Sequence, residues 1–492
     1  MTDRELLRAR PDIGDRAAGA LLGLAVGDAL GAPYEGGRLP PRSLEMVGSA
    51  PGDGPGAGWS PGEWTDDTSL AICIAEVTAT GTLDEIPIGG RFLDWFEEHG
   101  KGIGSGTRAV LSRAIASGGP EDLSRHAADW LREQPRGGAG NGSLMRTAPV
   151  ALANLGDDQA IVRDARRISG LTHADDLAAE ACVLWCVAID RAVREQRLHG
   201  VRDGLAHLPP DRAHWWAERL DEAEAREAST FVPNGFVVTA LQAAHAAIHQ
   251  TPIPDVRPAR HLQDALTAAV HIGDDTDTVA AIAGQLLGAR WGATAVPFRW
   301  RRPLHGWPGL RAGDLVRLAQ LTVSGGRPAD DGWPLVPMLS GYRAGQEPFL
   351  AQLPEDPDLL LGNLASLPDA VERVDAVVSL CRVGARDVPP HLEHHEVLLT
   401  DRADGLANLN LDTVIDDTVT AITTLREEGK RVFLHCVAGR SRMPTVAAAY
   451  LAAREGIGGP EAFERVARVV PHPDTHNRAF QEWLSAQRAP DT

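Results

Sequence analysis

Two short acidic turns and one cysteine loop hold the side chains best suited to chemistry in this 492-residue chain. The first turn, "GEWTDDTSLAI", places Thr65, Asp66, Asp67 and Thr68 where a loop gives way to a helical pattern. The second, "HIGDDTDTVAAIAG", repeats the arrangement with Asp274, Asp275, Thr276, Asp277 and Thr278. Asp and Thr are favoured helix caps and their charge suits the helix dipole, so capping accounts for either turn taken singly. Capping needs one such residue, however, and adjacent carboxylates raise each other's pKa unless a cation intervenes. Carboxylate and hydroxyl oxygens are hard donors. Two such turns brought together would suit Mg²⁺ or Mn²⁺, and no His/Cys set of zinc type accompanies them. A pair of divalent ions about 3.5–4 Å apart can polarise water and anchor a hydroxylated substrate.

The cysteine lies in "RVFLHCVAGRSRMPTVAAAYL", residues 431–451. Val432 to Leu434 read as a buried strand, and an Ala-rich helical pattern begins at Pro444. Between them Cys436 and Arg442 frame a C-x5-R loop containing Gly439. Successive N–H groups in such a loop, with the helix N-terminus behind them, form an anion nest. Arg442 can clamp two phosphate oxygens, and the same positive field favours a thiolate nucleophile at Cys436. The plainer alternative is a buried structural cysteine, since C-x5-R also arises by chance.

These groups must be positioned by two different kinds of domain. From residue 14 to 325 the pattern is helical nearly throughout, as in "DRAAGALLGLAVGDALG" and "DDLAAEACVLWCVAIDRAVREQ", with Gly and Pro loops between. An all-α domain is expected there. Residues 326–338 have the Gly, Pro and charge content of a linker. Over 339–488, short strand candidates ("FLAQL", "AVVSLCRV", "HHEVLLT", "RVFLHC") alternate with helical stretches such as "LDTVIDDTVTAITTLREEGK". That alternation predicts an α/β domain with a central, mainly parallel sheet.

Bulk properties narrow the function classes. A chain of this length is expected to fold as roughly two to four domains. A formal net charge of -19 and a pI of 5.3 argue against nucleic acid or an anionic membrane as a partner. The N-terminal residues lack the apolar core of a signal peptide, and no apolar run reads as a membrane span. Five scattered cysteines at 73, 182, 186, 381 and 436 fit a reducing cytoplasm. Cys182 and Cys186, one helical turn apart, read as a buried helix face.

Five ordered motifs then point to a family. "GALLGLAVGDALGAPYEG", "WTDDTSLA", "GNGSLMRTAPVAL", "LTH" and "GDDTDTVAAIAGQLLGA" resemble the ADP-ribosylglycohydrolase family (dinitrogenase reductase-activating glycohydrolase-like) over residues 14–325. The resemblance implies an all-α fold, two Mg²⁺ ions (or Mn²⁺), and hydrolysis of the glycosidic bond joining ADP-ribose to a protein side chain or small molecule. It gives Thr65, Asp66, Asp67, Asp275, Asp277 and Thr278 as metal ligands. It gives Glu35 as a carboxylate at the metal or the attacking water, against a plain surface carboxylate. It makes "RGGAGNGSLMR" (136–146) an ADP-ribose loop, with Asn141, Gly142, Ser143 and Met145 near the ligand, and places His173 by the nucleotide. The implied mechanism is hydrolysis without a covalent intermediate, a carboxylate managing the proton and negative charge favouring an oxocarbenium-like state.

The C-terminal half, over about 340–485, resembles the dual-specificity phosphatases through "LLGNLAS", "DAVVSLCRVG" and "HCVAGRSR". Carried over, Cys436 is the nucleophile and Arg442 the phosphate ligand for a phosphorylated substrate. Asp401 is the preferred general acid, with Asp404 its rival. One departure stands out: where the family has Ser or Thr after the arginine, this chain has Met443. A bifunctional hydrolase is therefore expected. The alternative is a regulatory protein that binds phosphate or ADP-ribose, with an inactive or weak phosphatase domain.

Overall fold

A computed structural model describes residues 10–37, 40–52, 57–134, 138–339, 345–402, 408–474 and 477–487. They form two units, Met1–Arg327 and Pro328–Thr492. The first is built of helices, of which six position the groups of interest. They are α1 (Pro11–Gly31), α2 (Asp66–Thr78), α3 (Asp176–Glu195), α4 (Pro210–Ala225), α5 (Val237–Gln250) and α6 (Thr276–Trp291).

The centre of this unit is the α1–α6 pair. A Cβ on Gly23 would stand 2.3 Å from the carbonyl oxygen of Gly284, and one on Gly284 would stand 2.0 Å from that of Gly23. Gly19 and Gly288 meet in the same way, and a Cβ on Gly31 would lie 2.4 Å from the Cα of Asp277. Glycine in a helix interior costs about 1 kcal/mol against alanine, so its repetition here marks backbone-to-backbone contact. By length and composition α1 with its continuation to Tyr34 is apolar enough to cross a membrane, which the sequence pattern had not indicated. Its residues are instead buried inside the helical unit, where it meets helix on several sides. On α3, Cys182 and Cys186 are buried and unpaired, as a helix face should be.

The second unit is α/β. Strands β1 (Leu350–Leu353), β2 (Asp356–Asn363), β3 (Ala376–Ser379), β4 (Glu393–Glu396) and β5 (Val432–Cys436) form one sheet in the order β1-β2-β5-β3-β4. Only the β1–β2 hairpin is antiparallel; β2–β5, β5–β3 and β3–β4 are parallel. Helices α7 (Leu411–Glu427) and α8 (Arg442–Glu455) precede and follow β5. Part of the stretch read as linker packs on this unit. Trp333 is buried under the guanidinium of Arg382, and the N–H of Leu339 donates to Asp387 at 3.0 Å.

Candidate functional site

The two acidic turns, more than two hundred residues apart in sequence, converge. Thr278 Oγ1 at the start of α6 lies 3.4 Å from Asp67 Oδ1 at the start of α2. Glu35, Asp275 and Asp277 each offer a carboxylate oxygen, and these three oxygens lie within 4.8 Å of one another. The glycine contact of Gly31 with Asp277 explains why. It brings the end of α1, and Glu35 just beyond it, against the first turn of α6. Thr276 Oγ1 seals that junction by donating to the Gly31 carbonyl at 2.8 Å.

Each turn has its own brace. Asp28, fully buried on α1, accepts from the N–H groups of Thr65 and Thr68 and from Thr68 Oγ1, at 2.9, 3.0 and 2.6 Å. It caps α2 from another helix. Thr65 is also the local N-cap, so capping and ligand-type placement coexist at this turn. At the second turn Asn234 is the hub. Its N–H donates to Asp274, its amide oxygen accepts from the Asp275 N–H, and its carbonyl accepts from Asn141. Asp274 itself sits at a φ of +67°, a strained value for a non-glycine residue. Asn141 completes the frame by donating to Asp275 Oδ2 at 2.7 Å.

The electrostatics are those of an unbalanced cluster. Burial, then repulsion from Asp28 and Asp275 among others, pushes Asp66 up to about 8. Asp67 and Asp277 are pushed well above the carboxylate range, again by burial first and then by neighbouring carboxylates. Asp67 Oδ2 and Asp277 Oδ1 are buried without a hydrogen-bond partner. Unpaired buried carboxylate oxygens are costly, and an oxygen-preferring cation offsets that cost. The donor set of acidic and hydroxyl oxygens therefore fits divalent ions.

The glycine loop lies beside this cluster. Arg136 and Gly137 fall outside the described residues. A Cβ on Gly142 would lie 2.9 Å from the ring of His173, so the loop rests directly on that imidazole. Burial, then Arg146, lowers His173 to about 3, and its Nδ1 pairs with Thr172 Oγ1 at 2.8 Å. Ser143 meets Ser169 Oγ and Cys182 Sγ, while Met145 is buried with its carbonyl accepting from Gln285. The Ser143 side chain and the Met145 carbonyl fasten the loop to the core; Asn141 and Gly142 lie at the acidic cluster and at His173.

In the second unit Cys436 ends β5, and Arg442 opens α8. Gly439 turns the loop with a φ of +69°, where a Cβ would strike Phe349 at 2.6 Å. Arg442 Nη1 donates to the carbonyls of Leu380 and Leu399, at 2.6 and 3.1 Å, while Nε is buried without a partner. One edge of the guanidinium is thus anchored and a donor is left for an anion. Asp401 lies against the loop, accepting from Ser441 Oγ at 3.0 Å and Asn477 at 2.9 Å. Asp404 lies outside the described residues. Met443 is buried in the apolar core with Leu434 and Val446, and Thr445 Oγ1 donates to the Ser441 carbonyl.

Both parts of the chain match known families. Residues 9–328 match the ADP-ribosylglycohydrolase family, and residues 374–488 match the dual specificity phosphatase catalytic domain. The chain belongs to the ADP-ribosylglycohydrolase family. It is 32% identical over 299 residues to ADP-ribosylarginine hydrolase Tri1 of Pseudomonas putida, covering 58% of this chain and 73% of that one. It is 29% identical over 338 residues to ADP-ribosylhydrolase ARH3 of Danio rerio, covering 61% and 89%. A solved ADP-ribosylglycohydrolase-related protein complex is 33% identical, covering 64% of this chain and 99% of that one, with a TM-score of 0.47.

Within this glycohydrolase unit, sequence reasoning passed over two groups. Asp28 stands in the quoted "GDALG" but carried no role, and Asn234 lies in "VPNGF", an Asn-Gly pair that signals only a turn. Both act through contacts some forty residues distant in sequence, which spacing alone does not show.

Proposed function

We propose that this protein is a metal-dependent hydrolase releasing ADP-ribose from ADP-ribosylated protein, with arginine-linked ADP-ribose as the first substrate to test. The observation that carries the reading is the pair of buried, unpartnered oxygens of Asp67 and Asp277 within a cluster of carboxylates. Thr65, Asp66, Asp67, Asp275, Asp277 and Thr278 would hold two Mg²⁺ or Mn²⁺ ions. When bound, such ions polarise water and anchor ribose hydroxyls. The arginine linkage follows the printed name of the relative from Pseudomonas putida.

The chain's own residues supply the rest. Glu35, only partly buried beside Asp275 and Asp277, takes the proton from the attacking water. Asn141 fixes the Asp275 carboxylate, and the negative cluster favours positive charge developing at the anomeric carbon. Gly142 lets the loop backbone approach a pyrophosphate, while the neutral His173 supports it from behind. Release of ADP-ribose from arginine-, serine- and small-molecule-linked substrates with Mg²⁺ tests this. Asp275→Ala should abolish it, and unchanged turnover would refute the assignment.

For the second unit, the anchored Arg442 and its unpartnered Nε support phosphate binding by the loop, with Cys436 as nucleophile and Asp401 as general acid. With Met443 supplying no hydroxyl, breakdown of the phosphoenzyme is expected to be slow. A burst followed by slow turnover on a phosphotyrosine analogue would support this; no burst would favour a domain that only binds phosphate.

A further inference from the structure

A second group of ligand-type side chains lies in the helical unit, at the far end of α5 from Asn234. His245 and His249 are one turn apart on α5 and so share a face. Glu224 reaches them from the last turn of α4. One ligand atom from each of the three lies within 4.8 Å of the others. His245 Nε2 is 3.0 Å from Glu224 Oε1, and the ring of His199 stands 5.5 Å from that of His249.

A buried His–Glu pair explains only part of this. His245 is 2% exposed, yet its Nδ1 is buried with no hydrogen-bond partner, which leaves one ring nitrogen unsatisfied. Nor does the pair explain why the rings of His199 and His249 gather beside it, 5.5 Å apart, with His249 5.9 Å from His245. Arg202 holds the carboxylate from another side, with Nη2 2.9 Å from Oε2 and Nε 3.1 Å from Oε1. That clamp keeps Glu224 ionised and oriented, as a carboxylate ligand must be.

We propose that Glu224, His245 and His249 form a transition-metal site of the kind that takes Zn²⁺, with His199 or water as the fourth ligand. Imidazole nitrogens with one carboxylate suit zinc rather than the hard ions expected at the acidic turns. Joining α4, α5 and the 198–207 segment, the ion would act as a structural cross-link.

The test uses tag-free, metal-stripped full-length protein with excess Mg²⁺ present. Zn²⁺ is titrated against a chromophoric chelator, and Co²⁺ is followed by its visible absorption. The expected result is one Zn²⁺ per chain, a tetrahedral Co²⁺ spectrum and a Zn²⁺-dependent rise in Tm. His249→Ala changes an exposed residue, so it should fold as the parent does, checked by circular dichroism. It should weaken Zn²⁺ binding by more than the roughly 10–100-fold that losing a merely supporting partner costs. Asp277→Ala should leave it intact. No uptake under excess Mg²⁺, or undiminished affinity in His249→Ala, would overturn the proposal.

Discussion

The helical unit gathers Asp28, Glu35, Asp66, Asp67, Asp275 and Asp277 where several repel one another, and two of their oxygens lack any partner. The α/β unit does the reverse, presenting one anchored guanidinium at the start of α8. One site is short of positive charge and the other of negative charge. The two also differ in completeness. Every ligand type expected of the first is present at the converged turns, whereas Met443 removes a hydroxyl from the second. The contrast teaches that unrelieved charge marks where a ligand belongs, while turnover depends on the smaller groups around it.

The largest effect should come from Asp277→Asn. Losing several kcal/mol of charge stabilisation should lower kcat for ADP-ribose release by about a hundredfold or more. The same change should raise stability without divalent ions at neutral pH by about 1 kcal/mol or more, since it removes a buried acid whose ionised form burial and neighbouring carboxylates disfavour. Activity assays with chemical denaturation of the metal-free protein check both signs. A variant that lost activity without gaining stability would break the contrast.

Next, Cys436→Ser should abolish any phosphatase burst while leaving ADP-ribose release unchanged. Met443→Thr should speed the second step by about tenfold, because a hydroxyl there can donate to the leaving thiolate. Stopped-flow traces with a phosphotyrosine analogue separate burst from steady state. A Met443→Thr rate equal to the parent's would place the second step's limit elsewhere.

A third effect is packing. Gly284→Ala would force a methyl group into the Gly23 carbonyl and should destabilise the helical unit by about 1–3 kcal/mol. By parting α1 from α6 it should also weaken Mn²⁺ affinity, measured by calorimetry. The unfolding of the second unit should be unaffected, which a two-step denaturation curve would show.

The last prediction concerns pH. Asp66, at about 8 in the folded protein against near 3.9 unfolded, holds its proton more tightly when folded. Without divalent ions, the contribution of Asp66 to stability should therefore be greatest below about pH 4 and should be lost as pH rises through about 8. Mg²⁺ binds the deprotonated form, so its stabilising effect should be larger at pH 8 than at pH 5. Thermal melts across that range, with and without Mg²⁺, decide the matter.

What the sequence made legible follows from where each signal resides. The acidic turns could be read because Asp and Thr sit at helix starts, and one cap does not need two carboxylates. The cysteine loop could be read because strand, glycine and arginine fall within one local stretch. By contrast, β2 escaped: "DPDLLLGN" opens with Asp-Pro, which mimics a turn, although it pairs with both β1 and β5. The inward direction of Ser143 and Met145 depends on Ser169, Cys182 and Gln285 from elsewhere in the fold. Likewise the apolar length of α1 acquired meaning only with α6 against it.

The most direct test of the central claim is a calorimetric titration of metal-free protein with Mn²⁺ at neutral pH, repeated on Asp277→Ala. To silence the histidine cluster, both titrations should be carried out in the His249→Ala background. Uptake of two ions per chain, lost or halved in Asp277→Ala, is the predicted result. No uptake, or identical uptake in the two proteins, would contradict a cage of oxygens built from the two acidic turns.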